Sequence, residues 1–168
     1  HMLAIKIDNV KTFMNKLLIG NTFDSFSLIE ASITTFNHFS IDGTLHPDFF
    51  DTDMRNSLTE SGRVYSLWRE LKSYCYSLTK GRIPPLQFKY VFCISPLHAV
   101  SVCQYAQEFH VDPAVKNFIF NIQYKNQELI CTTGVAFSTF TLDKSAESLW
   151  DSLIVSYLRK NQLDYHNL

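Results

Sequence analysis

The stretch Leu86-Gln87-Phe88-Lys89-Tyr90-Val91-Phe92-Cys93-Ile94 decides the fold. Leu86, Phe88, Tyr90, Phe92 and Ile94 alternate with Gln87, Lys89, Val91 and Cys93. That period of two predicts a β-strand with one face in the core. Downstream, Phe118, Phe120, Ile122 and Tyr124 alternate in the same way. Lys125-Asn126-Gln127 then supply a turn, and residues 129–141 provide one long or two short strands. Upstream, residues 3–7 are short and β-branched, and residues 26–41 are rich in Thr, Ser, Ile and Phe. The latter predict at least two strands, ended by the turn signal Asp42-Gly43.

Between these strands the period changes to that of a helix. Val10, Phe13, Met14, Leu17 and Leu18 form one apolar stripe after Asp8, which stands at the N-cap position, and Gly20 stops it. Val64, Leu67, Trp68, Leu71, Cys75 and Leu78 form a second stripe, closed by Gly81 and Ile83-Pro84-Pro85. Ser95-Pro96 opens a helix that the pattern carries to about Phe109. Asp143 caps the last one, with Ala146, Leu149, Trp150, Leu153 and Tyr157 inward.

The element order thus reads β-α-β-β-α twice, over residues 3–80 and 86–160 of one domain spanning 2–168. Phe39-Ser40-Ile41-Asp42 returns as Phe140-Thr141-Leu142-Asp143, and Ser66-Leu67-Trp68 as Ser148-Leu149-Trp150. The sequence therefore predicts an α+β fold of two similar halves about a pseudo-two-fold, with a mostly antiparallel sheet. In the first half, residues 43–62 have no counterpart and read as an inserted loop, since they carry Pro47, several acids and no sustained period.

Composition narrows the classes of function. The hydrophobic fraction is 46%, with 14 Phe and 8 Tyr, enough apolar surface to offset ordering entropy. A formal charge of -1 leaves no global field to steer the chain onto nucleic acid or anionic lipid. His1-Met2 reads as an expression remnant. Residues 2–19 are broken by Lys6, Asp8, Lys11 and Lys16, unlike a signal peptide, and no apolar run is long enough for a membrane span. Cys75, Cys93, Cys103 and Cys131 show neither CxxC nor zinc spacing, so they are expected to be reduced core residues of a cytoplasmic protein.

Glu30-Ala31-Ser32-Ile33-Thr34-Thr35, Ile41-Asp42-Gly43, Pro85-Leu86-Gln87-Phe88-Lys89, Thr132-Thr133-Gly134 and Thr139-Phe140-Thr141-Leu142-Asp143-Lys144 carry a family resemblance. On them the chain resembles an uncharacterised bacterial family of short proteins from gut anaerobes, known only as a domain of unknown function. The resemblance implies no activity, cofactor or catalytic residue. By element order alone the chain is also similar to the saddle of the TATA-box-binding fold and, less closely, to a sliding-clamp domain. Such topology implies no function.

Candidate chemistry is sparse. Asp42, His46, Asp48, Asp51 and Asp53 form the densest polar group, with Phe49-Phe50 as an apolar anchor among them. An EF-hand register started at Asp51 fails, because Asn56 takes the glycine position and Gly62 the bidentate glutamate. No nucleophile elbow, phosphate loop, dinucleotide fingerprint or HExxH motif is present. Cys93 near His98, and His38 between Phe36 and Phe39, read as structural residues. Gln87, Lys89, Asn121 and Gln123 should share the polar face of the sheet, and Arg69, Lys72, Lys80 and Arg82 should gather near the end of the second stripe; both groups suit a phosphate backbone. Gln162-Leu163-Asp164 resembles the start of a clamp-binding peptide in a free tail.

The reading these observations favour is a non-enzymatic binding module with no cofactor, no metal and a protein partner. Asp42, His46, Asp48, Phe49, Phe50, Asp51 and Asp53 are its expected site. A nucleic-acid-associated protein with a saddle-like sheet face, and a metal-dependent hydrolase built on residues 42–53, are the alternatives.

Overall fold

The structure, a computed structural model, describes residues 2–105, 107 and 109–168. In chain order the elements are β1 (Ala4–Ile7), α1 (Val10–Leu18), β2 (Ser27–Thr34), β3 (His38–Asp42), a 3-10 turn (Pro47–Phe49), α2 (Thr52–Ser61), α3 (Trp68–Thr79), β4 (Gln87–Ile94), α4 (Pro96–Cys103), β5 (Val115–Lys125), β6 (Glu128–Phe137), α5 (Ser145–Lys160) and β7 (Tyr165–Asn167). All pairings are antiparallel, in the order β3-β2-β4-β5-β6-β1-β7. The α+β expectation holds.

The alternation in β4 sets the two faces. Phe88, Tyr90, Phe92 and Ile94 lie opposite Tyr124, Ile122, Phe120 and Phe118 of β5. This row extends through Leu28, Ala31 and Ile33 of β2 and Leu129 and Cys131 of β6 into one buried cluster. α1, α3, α4 and α5 cover this face: α3 packs on β2 and α1, and α5 on β6 and α4. Phe23 is the hub, its ring centroid 5.5 Å from Phe13, 5.9 Å from Phe92 and 6.1 Å from Phe120. Such tilted and offset aromatic pairs add stabilisation beyond their buried area.

Both Trp side chains are fully buried, and each donates its indole N–H to a main-chain carbonyl, Trp68 to Leu17 and Trp150 to Ile119. The strand pairing, however, does not repeat with the element order. β4 lies beside β5, whereas β1 lies between β6 and β7 rather than beside β2.

Local chemistry shifts several expected boundaries. Asn9, not Asp8, caps α1, its side chain accepting from the Thr12 amide at 3.0 Å. Asp143 stands one residue before the N-cap, Lys144, and accepts from the Ser145 amide rather than serving as the N-cap itself. α4 stops at Cys103, where Gln104 turns left-handed (φ 52). Val64 falls outside α3, because the capping contacts of Glu70 start that helix at Trp68. The expected loop over residues 43–62 contains the 3-10 turn and α2, which Asp51 nucleates by accepting from the Met54 amide. The tail is not free: β7 pairs with β1, and Leu163 is buried.

Candidate functional site

The expected acidic site does not converge. Asp42 ends β3 on the uncovered sheet face and accepts from the Thr44 amide at 2.9 Å. Its bonds with the Thr44 amide and hydroxyl, helped by His46, hold the carboxyl below the usual carboxylate range. Asp51 is used as the α2 cap, and Asp53 lies in the first turn of that helix, where the positive end of the dipole favours it. His46, Asp48 and Asp53 are exposed. Among the described residues no group of three His, Cys, Asp or Glu side chains is placed to hold a metal ion. Phe49 is 85% exposed and meets Phe50 edge to face at 5.4 Å. The anchor is therefore presented outward, neither plugging the core nor gathering the acids around a pocket.

The uncovered face does bring one predicted group together. Lys89 lies opposite Gln123, Gln87 opposite Lys125, and Asn121 one row further along, opposite Val91. The same face carries Glu30 directly opposite Asp42, with Ser32 between Ser40 and Lys89. Acids and bases thus share it. The second predicted group separates. Arg69 lies in the first turn of α3 and Lys80 just past its last, on the order of 16 Å apart at the helical rise. Lys72 is taken by Asp24 at 2.8 Å and by the Gly20 carbonyl. Those four residues belong to the helix layer and its end, not to the sheet face.

Lys80 and Arg82 instead join a site that the sequence reading missed. Between the β2–β3 turn and the α3–β4 connection runs a groove of about 730 Å³, lined by Phe36, Phe39, Leu78, Ile83, Pro84 and Leu86 together with Lys80 and Arg82. Phe36 is 88% exposed, Ile83 80% and Leu86 71%. Alternation places Leu86 in the core, but β4 starts one residue later, at Gln87.

A second groove, of about 630 Å³, shares Ile83, Pro84 and Leu86 and adds Tyr124 and Lys125. A third, of about 320 Å³, adds Lys11 and Met14. Among the described residues, the charged side chains lining these grooves are Lys80 and Arg82 in the first, Lys125 in the second and Lys11 in the third, with no carboxylate among them. Among the described residues, none of these four cations has a carboxylate partner; Lys80 lies over the Tyr76 ring at 5.9 Å. The sequence signal was available in Ile83-Pro84-Pro85, an apolar segment in a conformation that cannot pack as strand or helix.

No nucleophile is exposed by the cysteines. All four are free and buried, and burial pushes Cys75 and Cys103 up to about 12, Cys93 to about 11, and Cys131 higher still. No described helix is long and apolar enough to cross a membrane.

The molecule is thus a two-layer α+β protein, helices on one side of an antiparallel sheet, with an apolar, cation-edged cleft at one end. Residues 16–166 match the family of unknown function DUF5721, and the chain belongs to that family. Neither a search of curated proteins nor one of solved structures found a match to it.

Proposed function

We propose that this is a non-enzymatic binding module, cytoplasmic with reduced thiols, whose site is the cleft around Phe36, Ile83 and Leu86. Its partner is an exposed protein segment bearing apolar and acidic side chains. The observation that carries this reading is the composition of the cleft: exposed apolar side chains, four cations around the connected grooves and no carboxylate. Large exposed apolar surface is costly to maintain without a partner. Unpaired cations around it select negative charge.

The nucleic-acid reading has less support, because Glu30 and Asp42 stand beside Lys89 on the open face and would repel a phosphate backbone. The hydrolase reading loses Asp42 to its bond with Thr44 and Asp51 to its helix cap.

Selection from a displayed library of random peptides tests the proposal. Sequences pairing aromatic or aliphatic residues with Asp or Glu should be enriched on the protein and lost on Ile83→Asp and on the double variant Lys80→Glu, Arg82→Glu. All three positions are exposed, so the variants should fold, which circular dichroism checks. No enrichment, or enrichment indifferent to these substitutions, would sink the reading.

A further inference from the structure

β3 is an unprotected sheet edge. It pairs with β2 on one side and, among the described residues, with no strand on the other. The Gly43 amide donates to the Ile29 carbonyl of β2. Peptide groups alternate sides along a strand, so those of His38, Ser40 and Asp42 point away from the sheet. Edges of this kind are usually blunted by Lys, Pro, a bulge or shortness. The segment His38-Phe39-Ser40-Ile41-Asp42 contains neither Lys nor Pro, and its pairing with β2 is continuous from Asp42 to His38. The opposite edge, β7, has only three residues.

The two ends of β3 carry complementary chemistry. At its start lies the apolar cleft with Lys80 and Arg82; after its end comes Asp48-Phe49-Phe50-Asp51, with Phe49 standing in solvent. We propose that the partner of the cleft is a second copy of this chain, joined by antiparallel pairing of β3 with β3 about a two-fold axis at Ser40.

In that register the outward peptide groups of Ser40 meet each other, and those of His38 meet those of Asp42 in the second copy. On the open face this puts each imidazole beside an opposing carboxylate. The segment following β3 in one copy runs past residues 35–37 of the other and brings its Phe49 and Asp48 towards the apolar, cationic cleft. Because the patch is self-complementary, the contact is made twice and the assembly closes as a dimer, its sheet continuous across both copies. The inference rests on the proposed cleft reading and names its occupant.

Sedimentation analysis of the full chain is the test. A dimer is expected, becoming a monomer in Ser40→Pro, since proline at an outward-facing edge position removes the intermolecular donor while leaving the β2 ladder in place. Phe49→Asp should weaken association about tenfold or more by removing the anchor. Melting curves of both variants should match the wild type at concentrations where all are monomeric. A wild-type monomer at every concentration would overturn the self-association, as would a dimer that both substitutions leave intact. The cleft reading is judged separately, because peptide enrichment on a monomeric chain would retain it.

Discussion

Gly43 sits where β3 leaves β2 and the chain after α2 takes its place. Its amide donates to Ile29, its carbonyl accepts from Ser66, and Ser66 in turn accepts from Leu28. As a sequence signal Asp42-Gly43 reads as a turn, with glycine supplying conformational freedom. The physical reason is instead close approach: a Cβ at this position would lie 1.8 Å from the Leu28 carbonyl oxygen. Main chain cannot yield as a flexible side chain does. Gly43→Ala should therefore cost on the order of 3 kcal/mol, the upper range for overpacking, read as a lower urea midpoint. The substitution Gly62→Ala is a useful contrast, because that glycine has open space but a φ of 67, so its cost is backbone strain of about 1 kcal/mol. If Gly43→Ala unfolds no earlier than the wild type, the close approach of main chain at Gly43 is wrong.

At the scale of elements, periodicity found what packing enforces and missed what local bonds decide. The strands β4 and β5 were legible because their alternating side chains meet a helix layer; the stripes of α1, α3 and α5 were legible for the same reason. α2 was not, since its ten residues contain a single buried side chain, Leu58, and a helix with so narrow an apolar contact leaves little periodic signal. Its start is fixed by Asp51, which the sequence reading assigned to a ligand site. β7 was missed because three residues carry no period. It nevertheless closes the sheet: the Asp8 amide donates to the Asp164 carbonyl, the Leu168 amide to Ala4, and Leu163 is buried. A chain ending at Asn161 should lose about 1.5–3 kcal/mol from Leu163 alone. It should also expose the outer edge of β1, with a fall in denaturation midpoint and faster exchange of the β1 amides. Unchanged exchange there would mean that β7 does not hold β1 in place.

At the scale of the whole molecule, the repeated element order invites a description as two halves, and the pairing argues against their independence. β1 leaves the first half to lie between β6 and β7, and β2 pairs with β4, so the first half is joined to the rest of the chain by three strand ladders. The core is shared as well. Phe23, from the first half, packs on Phe92, Phe120 and Tyr157 of the second, and the Tyr157 hydroxyl donates to the Thr22 carbonyl.

Cutting the chain in the 80–86 connection tests this arrangement. The fragment 2–83 would keep the β2–β3 hairpin but leave β1 with no strand to pair with and Trp68 without Tyr90 and Phe92, so it should be unfolded. The fragment 84–168 would keep the β4-β5-β6 meander with α4 and α5, enough for secondary structure. It would lack Phe13, Phe23, Phe26 and Trp68 over the meander's buried face. It should therefore show a strand and helix signal in circular dichroism without a cooperative melting transition. Mixing the two should restore one sharp transition, because each supplies the strands and aromatic side chains that the other lacks. A fragment 2–83 that melts cooperatively by itself would instead reveal a core of its own, and the halves would then be separable units.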